Sequence, residues 1–253
     1  MRSLLGLCAL YCAATAFLSA GELEDILENH YKVRGGAEAL DAIKTIKYEG
    51  KIKFNAGGQD IEMPMTMEMK DRKKIRMHMQ FQGMDVYQVH DGERGWMLNP
   101  LMGATEPQDM KEDEAKQLME QADFLGDLFG WKDKGYTLEL QGEEEVEGSP
   151  AYKIKVTTPD GDERFHFLDK DYYVLVKTVA KINQGGTEVE GHLFFSDYKE
   201  IGDVVLSHAM EMKSPEGQKI AEIRFDTIEL NPEISDDIFV KPEPAKAEPA
   251  DSQ

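Results

Sequence analysis

The chain has 253 residues, with 49 acidic and 29 basic side chains and a formal net charge of −20. Such a surface repels phosphate backbones and anionic headgroups, which argues against nucleic-acid binding. Its two cysteines, Cys8 and Cys12, both lie at the very start, so the remainder holds no disulfide scaffold, cysteine nucleophile or thiolate metal site.

The first twenty residues read as a secretory signal. Arg2 supplies the positive start, Leu4 to Leu18 the apolar core, and Ser19-Ala20 before Gly21 a small-residue cleavage site near Ala20. An uncleaved anchor is the competing reading, but the apolar run falls short of the about 20 residues a membrane span needs. No later stretch is long enough, so the expectation is an exported periplasmic protein that is not integral to a membrane. Residues 22–31 have helical spacing, with Leu23, Ile26, Leu27 and Tyr31 on one side, and Gly35-Gly36 interrupts them. Residues 37–43 form a further helical turn or two.

From Thr45 the period becomes two. Ile46, Tyr48, Ile52 and Phe54 share a face, and residues 55–58 make a turn. Then methionine takes alternate positions of two successive runs: Met63, Met65, Met67 and Met69, followed by Met77 and Met79, with Phe81 and Met84 beyond. Alternation means strands with one apolar face. A three- or five-residue loop around Arg72 places Met65 beside Met79, Met67 beside Met77 and Met63 beside Phe81. A one-residue slip would set methionine against Arg76 and His78, so the buried face specifies the register. Pro64 cannot donate a ladder bond and suggests an edge or a bulge.

The strand at 86–90 turns at Asp91-Gly92 into 95–100, which carries Trp96. Residues 108–129 revert to helical spacing through Met110, Leu118, Met119, Ala122, Leu125, Leu128 and Phe129. Seven strands follow between residues 137 and 229, with hairpin turns at Pro159-Asp160-Gly161 and Gly185-Gly186. The run Glu143 to Glu145 reads as a solvated loop. Residues 241–253, rich in Pro, Glu and Ala, read as a disordered tail. The expected fold is mainly β (α+β): about ten or eleven antiparallel strands in one curved, half-open barrel over residues 21–240, with the N-terminal and mid-chain helices as covers.

Chemistry signals are sparse. The six histidines are scattered, with no nucleophile elbow and no phosphate-cradling glycine loop, so neither an enzyme nor a resident cofactor is expected. Thioethers select Cu(I), and Met77-His78-Met79 invites that reading. In a strand, however, His78 points away from both methionines, which leaves a cross-strand cluster such as Met65, Met67, Met77 and Met79 as the way a Cu(I)-binding protein would hold its ion. A third reading is a structural envelope-interaction domain with a filled core. Methionine is unbranched and adaptable, and suits walls that re-pack around variable apolar ligands. Burying each methylene contributes ~0.8 kcal/mol, so one acyl chain of about fifteen offers roughly 12 kcal/mol gross.

Four stretches carry a family resemblance: residues 31–46 (YKVRGGAEALDAIKTI), 91–100 (DGERGWMLNP), 168–177 (LDKDYYVLVK) and 229–242 (ELNPEISDDIFVKP). In their order and spacing they resemble the bacterial outer-membrane lipoprotein-sorting proteins of the LolA-like family. The resemblance covers nearly all of residues 22–242. It implies a half-open β-barrel whose concave apolar side is lidded by helices and which shelters lipoprotein acyl chains in the periplasm. A membrane-protein donor and acceptor would be its partners, with no metal. The expected acyl-binding residues are Met63, Met65, Met67, Met69, Met77, Met79, Phe81, Tyr48, Ile52 and Trp96, and the expected lid residues Leu118, Leu125 and Phe129. The family's carriers hold the lid with a buried arginine. Here Arg76 is expected to face outward, and Arg34 and Arg94 to lie in loops.

Overall fold

The computed structural model describes residues 21–184 and 187–243. The expected signal segment, the Gly185-Gly186 turn and the tail beyond residue 243 lie outside the described residues. Helix α1 covers residues 21–33 and α2 Ala37–Asp41. There follow β1 (Thr45–Ala56), β2 (Gln59–Lys70), β3 (Lys74–Phe81), β4 (Met84–His90), β5 (Gly95–Leu98) and β6 (Gln108–Asp109). Helix α3 (Glu112–Gln121) precedes β7 (Thr137–Val146), β8 (Ser149–Thr157), β9 (Glu163–Asp169), β10 (Leu175–Gln184), β11 (Thr187–Ile201), β12 (Val204–Lys213) and β13 (Lys219–Leu230).

All thirteen strands join one sheet in the order β6-β5-β4-β3-β2-β1-β13-β12-β11-β10-β9-β8-β7. Among the described residues β6 and β7 are its two ends. The count of ten or eleven strands is therefore corrected to thirteen. A two-residue strand such as β6 is too short for its alternation to be read from sequence. Glu143 to Glu145 are corrected as well: they lie in the edge strand β7, where their charges blunt a row of unpaired backbone groups. Lys170 pairs with Glu143, and Lys153 holds Glu144 at 2.8 Å.

The chain divides into two compact units. The first comprises the described part of Met1–Ile43, together with Phe54–Asp60 and Leu125–Arg224. Its core packs Leu23, Ile26 and Leu27 of α1 against Leu138, Ile154, Val156 and Leu168 of β7, β8 and β9. His30, also buried, continues the same helical stripe.

The second unit comprises Lys44–Lys53, Ile61–Phe124 and the described part of Phe225–Gln253. Strands β2 and β3 meet across a three-residue loop, with Asp71 and Arg72 at φ 55 and 56 and Lys70 opposite Lys74. The pairing runs to Met65 opposite Met79 and stops before Pro64. Strands β3 and β4 join through Gln82-Gly83, both at positive φ, the two-residue turn whose twist matches a hairpin. On one face of this sheet Val89 and Trp96 pack with Ile234 and Phe239, and the Trp96 indole N–H donates to the Phe239 carbonyl at 2.9 Å.

Candidate functional site

The opposite face of the second unit carries the methionines. Met65 lies opposite Met79, and Met67 opposite Met77, the register the alternation requires. Met69 faces Ile75. From β3 the face passes into β4, where Met79 opposes Val86, Met77 opposes Gln88 and Phe81 opposes Met84. The Gln88–Met97 and His90–Gly95 pairs extend it into β5. Met63, Met65, Met67, Met69 and Met79 are 2–9% exposed, while Met77 and Phe81 are half-buried. Tyr48 is buried with its ring centroid 4.7 Å from that of Phe225, and Ile52 is half-buried.

Trp96 does not join this wall. It pairs with Val89, one position out of phase with Gln88 and His90, so it occupies the other face. There it borders a cleft of about 310 Å³ with Arg76, Tyr87 and Leu98. The signal was present in the turn lengths. A two-residue turn at 82–83 moves the methionine face to even positions of β4, and a four-residue turn at 91–94 moves it to odd positions of β5. Met97 is therefore the β5 residue that belongs to the wall.

His78 also lies on the far face. It stacks on Tyr87 at 4.6 Å between centroids and bonds Asp85 through Nε2 at 2.8 Å. A set of Met77, His78 and Met79 around one metal ion is thus not assembled. Arg76 faces the same way, pairing with Glu68 at 2.5 Å and lying 5.0 Å from the Tyr87 ring centroid. Gln88 and His90 interrupt the methionine wall with polar groups. Burial lowers the His90 pKa, and its Nδ1 accepts from the Gly92 N–H at 3.1 Å.

Helix α3 packs on β3, β4 and β5. At Gly95 an added Cβ would stand 2.9 Å from both the Ala115 Cβ and the Met110 Sδ. Gly95 shares its face with Met97, so α3 lies across the methionine side of these strands, with Leu118 buried. The helix is shorter than residues 108–129. It ends at Gln121, and the chain then turns through Gly126 and Gly130 at φ 79 and 63, conformations that break a helix. Leu125, Leu128 and Phe129 keep helical spacing without being helical, because all three are buried in the first unit, Leu128 within the cluster of Leu23, Ile26 and Leu27. The expected lid is therefore divided: Leu118 belongs to the second unit, Leu125 and Phe129 to the first.

In the first unit Arg34 follows α1 in a turn, yet its Nη1 donates to the Leu125 carbonyl at 3.1 Å. Nothing in its sequence context singles it out from Arg94. Two residues on, Asp127 meets Arg164 and His166 of β9. Burial pushes the Asp127 carboxyl up, but the His166 hydrogen bond and the nearby charges of His166, Arg164 and Lys134 outweigh it, leaving a pKa of about 2. His30 is the reverse case. Burial, then the Arg34 charge, depress it to about 3, and its Nδ1–H donates to the Tyr173 carbonyl at 2.7 Å.

Among the described residues no helix is long and apolar enough to cross a membrane. The fold is LolA-like. A LolA superfamily protein from Nitrosomonas europaea superposes with a TM-score of 0.59 at 13% identity, covering 86% of this chain and 97% of that one. A DUF1329 family protein from Desulfovibrio piger gives 0.59 at 15%, covering 86% and 96%. A domain described as an outer-membrane lipoprotein-sorting protein from Vibrio parahaemolyticus gives 0.55 at 15%, covering 80% and 92%. Within this fold, residues 82–243 match the model of a family described as "Uncharacterized protein", and the chain belongs to that family. It is also 30% identical over 191 residues, 64% of its length, to a phosphoglucosamine mutase of Nautilia profundicola, of which it spans 42%.

Proposed function

We propose that the protein is a soluble periplasmic carrier, not an enzyme, that binds the acyl chains of lipoproteins or lipids against the methionine face of β2 and β3. The observation that carries this reading is the register: thioethers from two paired strands form one continuous wall, and a short helix packs on β3, β4 and β5 at its side. The LolA-like fold supports it at the level of architecture. Unbranched thioether side chains can re-pack around chains of different length, which leucine and isoleucine walls do less readily. Met63, Met65, Met67, Met69, Met77, Met79 and Phe81 would line the ligand, with Tyr48 and Ile52 beside them and Met97 in place of Trp96. Helix α3, through Leu118, would be the cover of this face. No covalent step is involved, so transfer requires a membrane-protein donor and an acceptor whose site binds the acyl chain better.

The test is native mass spectrometry of the chain purified from the periplasm, with lipid extraction and titration with an acylated peptide. Co-purified or exchangeable lipid at one equivalent is expected. Its absence, together with no uptake of acylated peptide, would sink the proposal.

One observation favours a second reading. Methionines only 2–9% exposed are also what a filled structural core would present. Replacing Met65, Met67, Met77 and Met79 together by leucine separates the two. A filled core changes by less than about 1.5 kcal/mol per swap with no ligand phenotype, whereas a carrier loses affinity for some acyl lengths and keeps others.

A further inference from the structure

The cleft that Trp96 borders lies on the far face of the second unit's sheet, away from the methionines. Its walls come from β3, β4, β5, the residue before β6 and the segment after β13, all within that unit. At about 310 Å³ it stands at the lower end of the range of ligand-holding clefts. Tyr87, Trp96, Leu98, Pro107 and Ile238 make it apolar, and Arg76 and Asp237 are its two charged members.

The polar groups are held in place before any ligand arrives. Trp96 is fixed by the bond from its indole N–H to the Phe239 carbonyl, so it offers only its ring. Tyr87 stacks on His78 and has Arg76 5.0 Å from its ring centroid, yet its hydroxyl has no hydrogen-bond partner among the described residues. Arg76 spends Nη1 on Glu68, which compensates its charge and leaves other guanidinium N–H groups able to donate. Asp237 is the reverse case. It is exposed, its Oδ2 meets the Ser235 hydroxyl at 3.2 Å, and no cation pairs with it among the described residues.

The cleft thus presents donors, an aromatic platform and one uncompensated carboxylate. An ordinary extended peptide brings as many N–H groups as carbonyls, and here its N–H groups would lose water without gaining acceptors. A proline-containing segment brings carbonyls and few N–H groups. In the polyproline II form it is also pre-organised, rising ~3.1 Å per residue with its carbonyls unbonded. A basic side chain on such a segment would meet Asp237, and the net charge of −20 favours its approach.

We infer that this cleft is a docking site for a proline-containing, basic segment of another protein. The segment lies as a polyproline II helix on Trp96, gives its carbonyls to the Tyr87 hydroxyl and Arg76, and sets a lysine or arginine against Asp237. Side chains alternate between the two faces of β3 and β4, so a partner held here leaves the methionine face uncovered. The inference stands whatever that face binds.

The test titrates the full chain with the acetylated, amidated peptide Pro-Pro-Lys-Pro-Pro-Lys-Pro-Pro at near-physiological salt, followed by heteronuclear NMR and calorimetry. The Trp96 indole resonance should move, while that of Trp131, in the first unit, should not. Tyr87→Phe, which removes only the hydroxyl, should weaken binding about fivefold. Asp237→Asn should weaken it about threefold. A matched peptide with alanine for every proline lacks the pre-organisation and should bind about fivefold less tightly or worse. No movement at Trp96, or full affinity in both variants, would overturn the site. Equal affinity for the alanine peptide would do the same, reducing the contact to attraction between opposite net charges. Binding that appears only once residues 244–253 are removed would make that segment the occupant and overturn the assignment to another protein.

Discussion

His30 lies on the buried side of α1, and its pKa of about 3 has a direct consequence for stability in mild acid. In the unfolded chain the imidazole titrates near its ordinary 6.5. Below that pH the unfolded state takes up a proton that the folded state refuses until about pH 3. The folded state therefore loses ~1.4 kcal/mol for each pH unit between these limits. Urea unfolding at pH 7, 6, 5 and 4 should show this slope, and His30→Gln should flatten it by about one proton. Asp127 acts further down the scale. Its pKa, lowered from 3.8 to about 2, contributes stability above pH 4 that is lost progressively as the pH falls from there through about 2. The two residues thus titrate in separable windows, and only His30 is relevant near neutrality. Neither role was legible in the sequence, where His30 is one of six scattered histidines and Asp127 sits inside a helical-looking repeat.

Among the elements, the β2–β3 hairpin was the most legible, because a one-residue slip would have buried Arg76 and His78. The position of Trp96 required counting two turn lengths in succession, and an error in either reverses the face. Helix α3 was legible in existence but not in length. The apolar spacing of Leu118, Leu125, Leu128 and Phe129 comes from two different cores that fall into one helical period by coincidence. Gly95 is the contact that seats α3 on β5. Gly95→Val should help an isolated strand, yet its side chain would press into Ala115 and Met110. The helix should lift, with a loss of about 1–3 kcal/mol in urea unfolding and a rise in the fluorescence of a bound apolar dye. Unchanged or increased stability would contradict this seating.

On the scale of the whole molecule, charge decides which surfaces the protein can approach. With a net charge of −20, its long-range field is repulsive toward anionic bilayers. Sedimentation with phosphatidylglycerol-rich vesicles should therefore be weak at low ionic strength and, if anything, increase as salt screens the repulsion. Binding that strengthens on lowering the salt would reveal a local basic surface that outweighs the whole. The mainly β architecture and the succession of strands were readable from alternation and turns. The thirteenth strand was not, since β6 is held in place by β5 and by the Lys241–Asp109 ion pair at 2.9 Å, not by any pattern of its own.

The methionine hairpin also makes the protein a recorder of its own opening. Thioethers are oxidised to sulfoxides, which turns a greasy surface polar. Met102 and Met119, at 84% and 38% exposed, should react with dilute peroxide at once. Met65, Met67 and Met79 can react only as often as their face is uncovered. If mass spectrometry finds them oxidising faster than the chain globally unfolds, the face opens in the native state. If they oxidise only at the unfolding rate, it does not. On the carrier reading proposed above, the same chemistry would weaken the wall's hold on an acyl chain, since a sulfoxide is polar where the thioether was not.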